Sequence, residues 1–207
     1  VPERRAHLSV HAGRRCRALV LLLPGGQASG DVPMTVLDPA YLRMLPFAWQ
    51  LRTVGRGRIA VATLRYASRS WDGEGPPLRE AREALAQLRL RFPQWPIVLL
   101  GHSMGGRVAL RAAGEPGVSS VLALAPWLPE GPPEPVDQLA GRRLLVLHGG
   151  ADRITDPDAS ARYVARAQAA GTDARLHRLD GLEHTMLWRP DVWHRLAGAF
   201  VASATSC

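Results

Sequence analysis

Ile97-Val98-Leu99-Leu100-Gly101-His102-Ser103-Met104-Gly105-Gly106 is the stretch on which the reading of this chain turns. Its first four residues are all apolar, as expected of a strand buried on both faces. The residues from about 104 to 113 have helical character, so Ser103 falls at a strand-to-helix turn. Gly101 to Gly105 fits the pattern Gly-x-Ser-x-Gly, which average residue frequencies supply by chance about 0.1 times in a chain of this length. The turn gives the glycines a physical reason. A serine there is held in a strained backbone conformation, and a side chain at 101 or 105 would meet the adjoining strand or helix. The serine oxygen then stands above the strand end, near the positive end of the helix dipole. A glycine-rich turn with an incidental serine is the plain alternative.

On either side of this stretch, short apolar segments alternate with amphipathic ones. Strands are expected at 8–12, 18–23, 59–66, 97–100, 118–124, 144–147 and 174–179. Helices are expected at about 39–53 with a kink at Pro46, and at 78–92, 104–113, 157–170 and 192–203, with a short helical stretch near 136–140. The helix at 78–92 sets Ala81, Leu85, Leu88 and Phe92 at three- and four-residue spacing, with Arg and Glu on its other face. A Gly/Pro-rich loop is expected at 68–77, and residues 1–7 are expected to be a flexible lead-in. Strands apolar on both faces, alternating with helices, predict one α/β domain over residues 1–207 with a mostly parallel central sheet covered on both sides. Chemistry in such sheets collects beyond the carboxyl ends of the strands. Here those ends are Leu23, Tyr66, Leu100, Leu124, Leu147 and Leu179.

Composition excludes several classes. The chain has 207 residues, 46% hydrophobic and 21% charged, enough for one substantial core. Its longest apolar run, 18–23, is too short to span a bilayer, so no integral membrane association is expected. Arg4 and Arg5 are not followed by an apolar segment of secretory type, and a cytoplasmic protein is expected. The formal charge is +8, yet all 26 basic residues are Arg, with no Lys and no Asn. That bias fits GC-rich coding, and the arginines are scattered, so no nucleic-acid partner is expected. Cys16 and Cys207 lack metal-ligand spacing. Neither a metal nor an organic cofactor is implied, and no feature sets an oligomeric state.

A serine hydroxyl is a weak nucleophile at neutral pH and needs a base. Of seven histidines, His7 and His11 lie too early, and His102 is expected to point away from Ser103 on the turn. His148 ends a strand and reads as structural, while His177 and His194 sit in a strand and a helix. His184 lies in Gly181-Leu182-Glu183-His184-Thr185, a loop between the last strand and the last helix, from which it can reach Ser103. The base needs a carboxylate to hold its tautomer and stabilise the imidazolium. Asp152, in His148-Gly149-Gly150-Ala151-Asp152, follows the penultimate strand. Asp156 precedes Pro157 and reads as a helix start, and Asp180 lies directly before the histidine loop. A tetrahedral intermediate also needs backbone donors. Met104, just after the nucleophile, supplies one amide. The loop Pro24-Gly25-Gly26-Gln27 supplies the other, with Gly26 preferred and Gln27 as fallback.

Taken together, GHSMGG at 101–106, HGGADRIT at 148–155 and GLEHTM at 181–186 resemble the α/β-hydrolase superfamily over nearly the whole chain, and the first is similar to turns in monoglyceride-lipase-like and carboxylesterase members. The resemblance implies a single-domain α/β-hydrolase fold, the order Ser103, Asp152, His184, and acyl transfer to water. Pro24 departs from the His that many members carry before the oxyanion glycine. A second departure is the connection 126–141, about sixteen residues, too short for the cap domain that many members insert there. The expectation is a capless hydrolase with an open, shallow site, acting on a small-molecule acyl ester or thioester. Gln27, Trp71, Trp127, Leu128, Met186 and Leu187 lie near strand ends as candidate substrate-contacting residues. Acyl transfer, lactonisation or non-hydrolytic chemistry on the same scaffold, or a catalytically silent ligand binder, are the alternatives.

Overall fold

The computed structural model describes residues 5–72 and 75–205. Cys207 and part of the expected loop at 68–77 and of the lead-in at 1–7 lie outside the described residues. Among the described residues, seven strands form one sheet: β1 (His7–His11), β2 (Ala18–Leu23), β3 (Ile59–Arg65), β4 (Ile97–His102), β5 (Val118–Leu124), β6 (Arg143–Gly149) and β7 (Asp173–Leu179). Their spatial order is β1-β3-β2-β4-β5-β6-β7. Among these seven strands, β1 is antiparallel to β3 and the other pairings are parallel. His7 already pairs with Arg65, so β1 begins inside the stretch expected to be a flexible lead-in.

The period of two in the central strands sorts side chains into two apolar layers. Leu19, Leu21 and Leu23 face one layer with Leu99, Val121, Ala123 and Val146. Val20 and Leu22 face the other with Val98, Leu100, Leu122, Leu124 and Leu147. The first layer is closed by α3 (Pro76–Arg91), α4 (Met104–Arg111) and α5 (Pro157–Ala169), the second by α2 (Leu45–Val54) and α6 (Pro190–Thr205). Fully burying each such leucine is worth about 2 kcal/mol. The single α/β domain with helices on both faces is therefore as the alternation of segments predicts. Among the described residues, no helix is long and apolar enough to cross a membrane.

The expected helix at 39–53 is two helices, α1 (Pro39–Leu42) and α2. Pro46 has no N–H to offer the Leu42 carbonyl, so the chain restarts one turn earlier, at Arg43 and Met44, and Pro46 occupies the first turn of α2, where that donor is not needed. For the same reason α3 starts at Pro76 rather than at residue 78. The short helical stretch is a 3-10 turn, Asp137–Leu139. Cys16 is a buried free thiol that accepts from the Gly13 amide and donates to the Gly57 carbonyl.

Sheet order has a direct consequence for the site. The chain runs from β2 outward to β3, then returns across β2 to β4. The carboxyl ends of β2 and β4 thus flank the point where the winding direction reverses, the usual location of a binding crevice. There α4 packs against β2 so closely that a Cβ at Gly105 would lie 2.1 Å from the Leu23 carbonyl oxygen. Gly105→Ala is therefore expected to cost about 3 kcal/mol. Gly141→Ala, at a left-handed φ of +72° with open space around it, is expected to cost about 1 kcal/mol. Urea unfolding of the two variants checks the difference.

Candidate active site

Ser103 has φ 55° and ψ −119°, a conformation that L-residues adopt only under constraint. The constraint is visible. Its amide donates to the Leu124 carbonyl at 2.9 Å, and its carbonyl accepts from the amides of Trp127 at 3.0 Å and Arg107 at 3.2 Å. A Cβ at Gly101 would lie 2.0 Å from the Gly105 carbonyl oxygen, so neither glycine of the turn tolerates a side chain. The hydroxyl is lifted beyond β4, over the first turn of α4.

His184 reaches this hydroxyl from the loop between β7 and α6. Its Nε2 is 3.0 Å from Ser103 Oγ, and its Nδ1 is 2.8 Å from Asp152 Oδ2. Because a carboxylate only accepts, Nδ1 carries the proton and Nε2 is free to accept from the serine. Gly149 lets the acid and histidine loops meet, since a Cβ there would lie 2.3 Å from the Leu182 carbonyl oxygen. Ser103, Asp152 and His184, from three separate strand ends, are thus brought into one hydrogen-bonded line.

The Asp152 side chain has no exposure. Burial by itself raises its pKa, but hydrogen bonds from His148, His184 and the amides of Thr155 and Ile154 outweigh it and hold the carboxyl well below the usual range. It stays ionised wherever the fold persists. Thr155 Oγ1 adds a further donor, 2.9 Å from Oδ2. His148 and Thr155 were not among the expected site residues. Their spacing from Asp152, four before and three after, was the available signal.

His102 does not bond to Ser103, but neither does it turn clear of the site. Its ring lies 4.8 Å from that of His184, and its Nε2 is 3.0 Å from the His184 carbonyl oxygen. That carbonyl can only accept, so Nε2 donates. Burial, followed by the nearby His184, pushes the His102 pKa down to about 3. The ring is neutral near pH 7 and anchors the loop that carries His184.

The remaining expected residues divide. The Gln27 amide donates to the Arg69 carbonyl at 2.8 Å. Its side chain bonds the Ser29 carbonyl and Ser70 Oγ, holding its own loop. A Cβ at Gly26 would meet both the Arg69 carbonyl and the Met104 side chain, so Gly26 and Met104 adjoin. Met104 is the first residue of α4, and its amide has no intrahelical acceptor. Trp71 and Met186 are buried in the core. Trp71 packs edge-to-face on Trp127 at 6.1 Å, with the Arg107 guanidinium 4.0 Å over its ring. Trp127 and Leu128 are half-buried, and Leu128 lines a cavity of about 380 Å³ against α5. Leu187 is exposed, as is the neighbouring Trp188, which sequence reading passed over. Among the described residues, no group of three or more His, Cys, Asp or Glu side chains is arranged to hold a metal ion.

This geometry meets a clear family assignment. A family model described as alpha/beta hydrolase fold matches residues 18–162, and the chain belongs to that family. No curated protein matches it in sequence. The fold is similar to that of MGS-M1, an alpha/beta hydrolase enzyme from a Medee basin deep-sea metagenome library, with a TM-score of 0.76 at 18% identity over 99% of this chain and 95% of that one. It is also similar to XC6422 from Xanthomonas campestris, a serine hydrolase described as without lid, with a TM-score of 0.71 at 18% identity over 98% and 90% of the two chains. Dienelactone hydrolase from Anabaena variabilis matches with a TM-score of 0.73 at 16% identity over 97% and 93%. The chain is a capless α/β hydrolase.

The depressed His102 pKa has a consequence for stability. Between about pH 6.5 and about pH 3 the unfolded chain binds a proton at His102 that the folded chain refuses. The stability tied to the neutral ring is therefore full above about pH 6.5 and is lost progressively as pH falls. His102→Gln is expected to show a shallower loss of urea-unfolding stability between pH 6.5 and pH 4 than the wild type.

Proposed function

We propose that the protein is a serine hydrolase that cleaves carboxylic esters or thioesters through an acyl-enzyme on Ser103. The observation that carries this reading is the unbroken line from Ser103 Oγ through His184 to Asp152, at 3.0 Å and 2.8 Å, on a serine held at positive φ. His184 takes the serine proton as Oγ attacks the carbonyl carbon, and ionised Asp152 stabilises the imidazolium. The amides of Met104 and Gly26 hold the oxyanion. His184 then protonates the leaving alcohol or thiol, and in the second half activates water against the acyl-enzyme. An ester or thioester suits the site better than a peptide, because the chain offers no evident subsite for an extended backbone.

Only 18 residues separate β5 from β6, and among the described residues no cap lies over the mouth of the site. This supports short or flexible acyl groups as substrates, with half-buried Trp127 and Leu128 beside the nucleophile as contacts for them.

Purified protein is expected to react with a fluorophosphonate probe and to hydrolyse short p-nitrophenyl esters. Ser103→Ala abolishes labelling and lowers kcat by about 10⁴- to 10⁶-fold, and His184→Ala weakens both. A wild type that neither labels nor cleaves overturns the proposal. Product analysis with alcohols competing against water separates hydrolysis from acyl transfer.

Rates across p-nitrophenyl esters of increasing chain length are expected to fall with length and to pass smoothly through the micelle concentration. A sharp rise at that concentration would contradict an uncapped site.

A further inference from the structure

His148, the penultimate residue of β6, has a fully buried side chain. Its Nε2 lies 3.2 Å from Asp152 Oδ2, the oxygen that His184 Nδ1 meets at 2.8 Å. On its far side, Nδ1 is 2.8 Å from Ser160 Oγ, a buried hydroxyl on α5. The carboxylate can only accept, so His148 carries its proton on Nε2, and Nδ1 accepts from Ser160. Two imidazoles therefore approach the same oxygen of Asp152, His184 Nδ1 at 2.8 Å and His148 Nε2 at 3.2 Å.

Thr155 Oγ1 donates to Asp152 Oδ2 at 2.9 Å and, lying 3.2 Å from His148 Nε2 and 3.1 Å from His184 Nδ1, also accepts a share of the His148 N–H. Arg178, opposite His148 in the register with β7, pairs with Asp158 of α5, and Asp156 pairs with Arg162. None of these charges competes for the ring. Burying an imidazole costs free energy that an apolar side chain in the same space would not, so the position is informative.

We infer that His148 is a positioning residue for the catalytic line: with its tautomer set by Ser160, it donates to Asp152 Oδ2 and fixes the rotation of that carboxylate toward His184. The inference rests on the serine-hydrolase reading. The amides of Ile154 and Thr155 hold Oδ1 at 2.8 Å and 2.9 Å and form a pivot. About that pivot the last torsion of an aspartate is soft. A second donor on Oδ2 beside His184 limits the swing, and small misplacements of catalytic groups are costly.

The test compares His148→Leu, His148→Asn, His148→Gln and Ser160→Ala by kcat and KM on p-nitrophenyl acetate, and by the low-field proton resonance of the His184 Nδ1–H. Leu offers no donor, and Asn reaches Ser160 but not Asp152. Both are expected to lower kcat about 10- to 100-fold with KM unchanged, and to move or broaden the resonance. Gln, which carries an N–H to the position of Nε2, recovers most of the rate and the resonance. Ser160→Ala falls between Gln and Leu. The inference is overturned if a folded Leu or Asn variant keeps wild-type kcat and resonance, or if Gln is as slow as Leu, which would make the role one of packing. If Leu does not fold, Asn against Gln decides alone. Should the wild type fail to label or turn over, the serine-hydrolase reading falls, and the resonance still reports whether His148 holds the carboxylate.

Discussion

Three backbone segments approach more closely here than side chains allow, and the site depends on that approach. Gly101 and Gly105 remove the Cβ atoms that would otherwise strike the Gly105 and Leu23 carbonyls. With β4 and α4 pressed against β2, the one residue between them has no room for an ordinary turn. Ser103 takes the strain, held at φ 55° by hydrogen bonds to Leu124, Trp127 and Arg107. The same approach brings the loop after β2 alongside the first residue of α4, where Gly26 adjoins Met104. The two apolar layers supply the energy that holds it.

A second constraint is electrostatic. A fully buried carboxylate is unfavourable unless its oxygens are occupied by donors. Asp152 meets this with two amides, a hydroxyl and two imidazoles. His102 meets the opposite requirement by staying neutral. Its N–H serves the His184 carbonyl, while its Nδ1 is buried without a hydrogen-bond partner. The imidazole of His102 thus stays uncharged beside His184, while the Asp152 carboxylate keeps its charge.

Much of this was legible in the chain because it is local or periodic. The strands with period two and full burial, β2, β4 and β5, were read at nearly their observed bounds, and the glycine pattern announced the turn at Ser103. The prolines misled wherever their position in a helix mattered more than their presence. Pro76 and Pro77 open α3 rather than end a loop, and Pro46 begins α2 rather than bending a longer helix. What sequence could not supply was the direction of side chains from elements far apart. His102 and His148 both read as bystanders, yet each contacts a partner fixed by tertiary packing, 82 residues away for His102. Trp71 and Met186 sit at strand ends as expected but turn into the core, since nothing in a strand-end position states which way a large side chain faces.

The short connection after β5 has a further meaning for how such a molecule can change. Residues 129–133 are exposed, while Glu134 just beyond is pinned by Arg107 and Arg111 and the 3-10 turn by Gln138. Added chain at that exposed tip would disturb neither apolar layer, and the entropic cost of a longer loop grows only slowly with its length. The molecule is thus a chassis with a ready insertion port a few residues beyond Trp127, whose amide bonds the Ser103 carbonyl. A new roof, and with it a new selectivity, could be acquired there without rebuilding the machinery beneath.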